Sequence, residues 1–262
     1  MKLPTQRAGL PGGEVPFILC PLTPPVRWGL HGTFRPAEFD GMKVEKDLYA
    51  YPWQDAYENN CNSYVIHGEG TILIDPGHSC HVPSLLRQME GDGIPPEKID
   101  LIILTHSHPD HLEGLEAFLN RPAKVAMSRE EERYLRESGK FLFEMMRRPL
   151  PEFRIDFYLK EGELHLGGET FQLYETPGHS PGSLSIHWPK RKALFTGDLV
   201  FYEGIGRTDF LEGNPKLMKK SIERISALDT EFLLPGHGEM VMGREKVLLN
   251  FEFIRRSFYP YL

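Results

Sequence analysis

At 262 residues, 40% hydrophobic and 26% charged, the chain is long enough to bury a sizeable core in one large domain or two modest ones. A formal net charge of −7 without a concentrated basic tract argues against a nucleic-acid backbone as the main partner, and three cysteines without Cys-x-x-Cys spacing leave any metal to His and carboxylate ligands. No stretch approaches the roughly 20 uninterrupted apolar residues of a membrane-spanning helix, and the opening residues lack the hydrophobic block of a signal peptide, so the sequence reads as cytoplasmic, without a membrane or nucleic-acid partner.

Residues 1–45 are rich in Pro and Gly, with little periodicity, and read as an irregular arm bearing Trp28 and Phe34. Residues 46–262 read as the main domain. In it, short β-rich runs alternate with helical patterns. Strands are predicted at Ser63 to Ile66, at Thr71 to Asp75 before Pro76-Gly77, and at Leu101 to Leu104. A helix is predicted from about Asp110, with Leu112, Leu115 and Leu119 on one face and a stop at Asn120-Arg121-Pro122. Ser128 and Glu131 have the spacing of a capping box and open a helical insertion at about 128–160, whose Phe141, Phe143, Met145, Met146 and Phe153 suit an apolar lid, a core helix or a dimer surface. Further strands are predicted at Thr170 to Tyr174, Ser183 to Trp188, Ala193 to Thr196 and Glu231 to Leu234. A helix from Asn214-Pro215 carries Met218, Ile222 and Ile225 on one side, and a final helix begins near Arg244. The alternation implies an α/β chain in two halves of similar rhythm.

The segment Leu104-Thr-His-Ser-His-Pro-Asp-His-Leu112 places three of eleven histidines and a carboxylate directly behind an apolar run. In extended chain His106 and His108 point to the same side, while Asp110 and His111 lie where strand gives way to helix. Crowding three imidazoles and a carboxylate without a cation would cost desolvation and mutual repulsion. The cluster therefore points to zinc, manganese or iron. Three later segments place His179, Asp198 and His237 after apolar runs beside glycine, in Pro177-Gly-His179, Gly197-Asp198 and Pro235-Gly-His-Gly238. His31, His67, His165 and His187 read as ordinary structural histidines.

Taken in order, Thr105-His-x-His-x-Asp-His111, Pro-Gly-His, Gly-Asp and Pro-Gly-His-Gly, with the earlier turn Ile74-Asp-Pro-Gly77, resemble the motifs of the metallo-β-lactamase superfamily. The resemblance implies a four-layer αββα sandwich with a metal site at one edge. It implies two divalent ions, zinc first with iron or manganese as alternatives: His106, His108 and His179 on one, Asp110, His111 and His237 on the other, and Asp198 bridging. Asp75 resembles the family's buried supporting carboxylate. A site of this kind would activate water as a bridging hydroxide, and Asp110 is expected to be the catalytic residue that shuttles a proton.

Within the family, Gly197-Asp-x-x-Phe201-x-x-Gly204-x-Gly-Arg-Thr-Asp-Phe210 resembles the glyoxalase II-like branch, which holds thioester hydrolases acting on S-acylglutathione and the mononuclear iron persulfide dioxygenases. Only 25 residues follow His237, too few for the large helical domain that holds glutathione in full-length glyoxalase II. The favoured reading is a dinuclear hydrolase of a thioester or related ester, with Arg207 either contacting a small-molecule substrate or paired with Asp209. A persulfide dioxygenase using His106, His179 and Asp198 is the first alternative, and a lactonase or phosphodiesterase the second. A homodimer is left open.

Overall fold

The computed structural model describes residues 41–55 and 58–262. Trp28, His31, Phe34 and most of the arm lie outside these residues. The arm's last positions, Met42–Glu45, form the first strand, β1. Strands β2 (Leu48–Tyr51), β3 (Ser63–His67), β4 (Thr71–Ile74), β5 (Leu101–Ile103), β6 (Lys124–Ser128) and β7 (Phe157–Leu159) follow it side by side in a seven-stranded sheet. The pairs β1 to β4 are antiparallel and β4 to β7 parallel, so β4 and β5 end at the same edge. The second half builds a six-stranded sheet from β8 (Gly162–Leu166), β9 (Glu169–Glu175), β10 (Leu184–Trp188), β11 (Ala193–Gly197), β14 (Phe232–Pro235) and β15 (Val241–Met242). A small pair, β12 (Val200–Phe201) and β13 (Gly204–Ile205), interrupts the order.

Side-chain alternation explains the layering. Ile72 and Ile74 of β4 join Phe171, Ile186, Trp188 and Phe195 in a core between the two sheets. The residue between them, Leu73, faces the other way and packs with Leu85 of α1 (Val82–Gly91), Leu112 and Leu115. On the far sheet Phe195 points inward. Its neighbour Leu194 points outward onto Met218, Ile222 and Ile225 of α5 (Pro215–Ile225) and Phe251 and Ile254 of α6 (Arg244–Ser257). A strand covered on both faces is apolar almost throughout, which is why β5 reads as Leu-Ile-Ile and β4 as Ile-Leu-Ile after a single Thr71. Each fully buried Leu, Ile or Phe contributes about 1.5–3 kcal/mol, and the periodicity thus drives the αββα sandwich expected from the sequence.

Two local expectations change, and one is refined. The helix after β5 lasts only Pro109–Leu112 (α2) and tightens into a 3₁₀ stretch, Glu113–Phe118, so Leu112 and Leu115 are buried but Leu119 is exposed. Ser128 does cap α3 (Arg129–Tyr134), accepting the Glu131 N–H at 3.0 Å, but the Glu131 carboxylate does not return to the cap. The insertion continues through a π-helical turn, Leu135–Gly139, into α4 (Lys140–Met145), where Phe143 is core and Phe141 and Met145 are exposed.

Candidate metal centre

All seven residues expected to hold metal meet at one edge of the sandwich. The strands β9, β11 and β14 run in the same direction, so the loops after them, carrying His179, Asp198 and His237, emerge together. His106, His108, Asp110 and His111 leave the end of β5 in the facing sheet. Backbone hydrogen bonds fasten these loops: Leu184 N–H to Thr105 O at 2.9 Å, Asn62 N–H to Gly236 O at 2.7 Å and Gly236 N–H to Gly197 O at 2.8 Å. Gly236 admits the close approach, because a Cβ there would lie 2.3 Å from Asp198 Oδ1 and 2.8 Å from His111 Cε1.

The ligand atoms form overlapping groups. His106, His108 and His179 present ring nitrogens within 4.8 Å of one another, and so do the atoms of His106, His111 and Asp198 and those of Asp110, His111 and His237. His108 Nδ1 and His179 Nε2 are 2.9 Å apart, a spacing that a shared proton or a common cation satisfies. His237 Nε2 is 3.1 Å from Asp110 Oδ2 and 3.5 Å from Asp198 Oδ2, and His111 Nε2 is 3.2 Å from Asp198 Oδ1.

Outer partners set the tautomers. Asp75, buried at the end of β4, accepts from Thr105 N–H at 2.8 Å, Thr105 Oγ1–H at 2.6 Å and His111 Nδ1 at 2.8 Å. His179 Nδ1 donates to the Arg207 carbonyl at 2.7 Å. Because Thr105 Oγ1 donates to Asp75, it can accept from His106 Nδ1 at 3.1 Å. In each case the outer nitrogen carries a proton, which leaves Nε2 as the atom able to meet a cation at the centre. His106 Nε2 is buried with no hydrogen-bond partner among the described residues. An orphaned imidazole lone pair beside two carboxylates and further imidazoles fits a divalent cation of intermediate softness.

Electrostatics divide the donors. Burial, reinforced by neighbouring histidines, pushes His106 well below the usual imidazole range and His108 down to about 3, so both rings are neutral and free to donate to a cation. Burial works against charge at Asp110, but His111 and His237 hold its carboxyl well below the usual range; His237 and His111 do the same at Asp198. Conversely, the carboxylates overcome burial to raise His111 well above its ordinary value and His237 to about 10. Protons and metal therefore compete for those two rings.

Arg207 stands apart from the centre. Its guanidinium makes a bidentate pair with Asp209, at 2.9 and 2.8 Å, and stacks over Phe210 at 4.3 Å. Phe210 in turn lies against His108 and His179, with ring centroids 5.3 and 6.0 Å away. Two further contributors were not expected at the site: Asn59 carried no sequence signal, and the spacing of Glu131 from Ser128 marked only a helix start. Asn59 donates to Asp110 Oδ2 at 2.6 Å, and Glu131 accepts from both ligand loops. The four histidines read as ordinary behave so where described: His67 bonds Thr71, His165 is exposed beside Thr170, and His187 bonds the Asp229 carbonyl.

Beside His237 opens a cleft of about 700 Å³ lined by Trp53, Asn59, Glu239 and Met240 among others. No helix among the described residues is long and apolar enough to cross a membrane.

Comparison with known proteins agrees with this architecture. A family model described as the metallo-beta-lactamase superfamily matches residues 56–237. A probable metallo-hydrolase of Methanocaldococcus jannaschii is 34% identical over 197 residues, covering 71% of this chain and 91% of the relative. The hydroxyacylglutathione hydrolase GloC of Haemophilus influenzae is 31% identical over 204 residues, 73% of this chain and 91% of the relative. Among solved structures, one protein crystallised in a di-iron-bound form superposes with a TM-score of 0.61 at 30% identity, over 77% of this chain and 95% of its own. The BLEG-1 B3 metallo-β-lactamase superposes with a TM-score of 0.64 at 27% identity, over 76% and 94%. With the motifs, the four layers and the clustered donors all in agreement, the chain belongs to the metallo-β-lactamase superfamily.

Proposed function

We propose that the protein is a dinuclear metallohydrolase that cleaves a thioester or related ester, S-acylglutathione being one candidate. The observation that carries this reading is the pairing of two donor sets, His106/His108/His179 and Asp110/His111/His237, on either side of Asp198. When bound, two divalent ions, zinc first, would supply Lewis acidity for the carbonyl and lower the pKa of bound water toward neutrality. The chain's own residues do the rest. His106, His108 and His179 would hold one ion, Asp110, His111 and His237 the other, and Asp198 would bridge. Asp110, fixed by Asn59, has its second role as proton carrier from the attacking water to the leaving thiolate. Phe210 walls the mouth on the His179 side and keeps bulk water from the reacting bond, and Arg207 braces it from outside while able to meet an anionic substrate tail.

The likeness to a hydroxyacylglutathione hydrolase over most of that protein's length supports the thioester class. A persulfide dioxygenase that binds one iron through His106, His179 and Asp198 leaves the second donor set without a purpose, which favours hydrolysis. The test is metal content per chain in unsupplemented protein, followed by hydrolysis assays on thioesters, lactones and phosphodiesters. About two divalent ions per chain with thioester cleavage are expected. About one iron with oxygen consumption on a persulfide would overturn the proposal.

A further inference from the structure

We infer that Glu131 is a positioning residue for one half of the metal centre, tying the loop that carries His106 and His108 to the loop that carries His179. The inference rests on the two-ion reading above. Glu131 sits in the first turn of α3, and its side chain is wholly buried. Its Oε1 accepts from the Ser107 N–H at 2.9 Å and the Ser107 Oγ–H at 2.7 Å. Its Oε2 accepts from the Ser180 Oγ–H at 2.8 Å and the Gly182 N–H at 2.9 Å. Ser107 separates His106 from His108, and Ser180 follows His179. One carboxylate thus reaches the backbone between two ligands on one loop and the residue beside the third ligand on another.

The chemistry of the four donors specifies a carboxylate. Two are backbone amides, one at each oxygen, and an amide cannot reverse its role. A glutamine in the same place would aim its NH₂ at one of those N–H groups in either rotamer, breaking the strut on one side. The surroundings make the link stiff. Ser128 Oγ, which caps α3, also donates to the Gly182 carbonyl at 2.7 Å, and a Cβ on Gly182 would lie 2.2 Å from the Glu131 nitrogen. The other donor set has different supports: Asp75 on His111 and Asn59 on Asp110. Glu131 touches neither. Its influence falls on the ion held by His106, His108 and His179 and spares the other.

The experiment is stepwise titration of metal-free protein with Co²⁺, read in the visible spectrum, and with Zn²⁺ against a chromophoric chelator. Wild type, Glu131→Gln, Ser107→Ala and His237→Ala are compared, the last marking the step that belongs to the other ion. Glu131→Gln is expected to weaken one step by about 10–100-fold, the step that His237→Ala spares, and to perturb its Co²⁺ bands. Ser107→Ala, which keeps the carboxylate and both backbone bonds, is expected to weaken the same step by about fivefold. If Glu131→Gln does not fold, the Ser107→Ala result decides. Unchanged affinities, or equal loss at both steps, would overturn the inference while leaving the hydrolase reading intact. A wild type that takes up no metal would overturn both.

Discussion

Replacing Asp75 by Asn isolates how a buried carboxylate controls its ligand. The backbone at Asp75 has φ of 53°, a left-handed conformation that Asn accepts as readily as Asp, so the substitution changes charge and hydrogen-bonding sense but not geometry. The amide oxygen can keep the Thr105 N–H at 2.8 Å, and the Thr105 hydroxyl, now 2.6 Å from an NH₂ group, can rotate to accept. His111 has no such freedom. Its Nδ1, 2.8 Å from the new NH₂, must give up its proton and accept, which leaves the ring proton on Nε2, the atom facing Asp198 and the centre. Metal can bind His111 only after that tautomer is reversed and two donors face each other. Loss of an outer partner of this kind costs about 10–100-fold in affinity, equivalent to about 1.4–2.8 kcal/mol. The assay is competitive chelator titration with metal counting by mass spectrometry. Asp75→Asn protein that folds and binds metal at wild-type affinity and stoichiometry would refute the tautomer argument.

Metal uptake at neutral pH should release protons, because His111 and His237 are held protonated in the metal-free protein. Calorimetry in buffers of different ionisation enthalpy should give about two protons per chain, with apparent affinity falling as pH drops; no release would contradict the charge assignment. In the metal-free protein, the raised His237 value stabilises the fold fully below pH of about 6.5, and that stabilisation is lost as pH rises through about 10, a trend that denaturant titrations across this range can follow. Gly236→Ala should abolish metal binding while the protein still folds, since its methyl group would enter the space beside Asp198 Oδ1; full occupancy would show that the loop yields. Phe143→Ala should destabilise by about 3–5 kcal/mol in urea unfolding, whereas Phe141→Ala, two residues away and half exposed, should stay within about 0.5 kcal/mol. Arg207→Ala should raise KM for an anionic thioester with kcat little changed, and an unaltered KM would assign Arg207 to bracing Phe210 alone.

The candidate donors were legible because their positions are governed by local rules. A turn directly after an apolar strand has to leave the core, so His106, His108, Asp198 and His237 could be placed at strand ends from the sequence, and glycine beside them marked close approach. The layers were legible too, since Ile72, Leu73 and Ile74 can only be apolar in a strand covered on both faces. Helix identity after β5 was less so: with proline at its first position, His106 and His108 before it and Asp110 and His111 within it, the chain makes a short α-turn and then a 3₁₀ stretch, which turns Leu119 toward solvent.

By itself, then, the sequence determined the two-half rhythm and the candidate donors, because hydrophobic periodicity and clustered imidazoles act over a few residues. Tertiary structure alone decided which donors share an atom's reach, and it gave Asn59 and Glu131 their roles. Glu131 shows why. Its spacing from Ser128 promises a capping box, and the cap does form, but the carboxylate turns inward to four donors on two loops, one of them about fifty residues further along the chain. Hydrogen bonds between segments so far apart leave no periodic trace, and only the packed sandwich brings their partners into range.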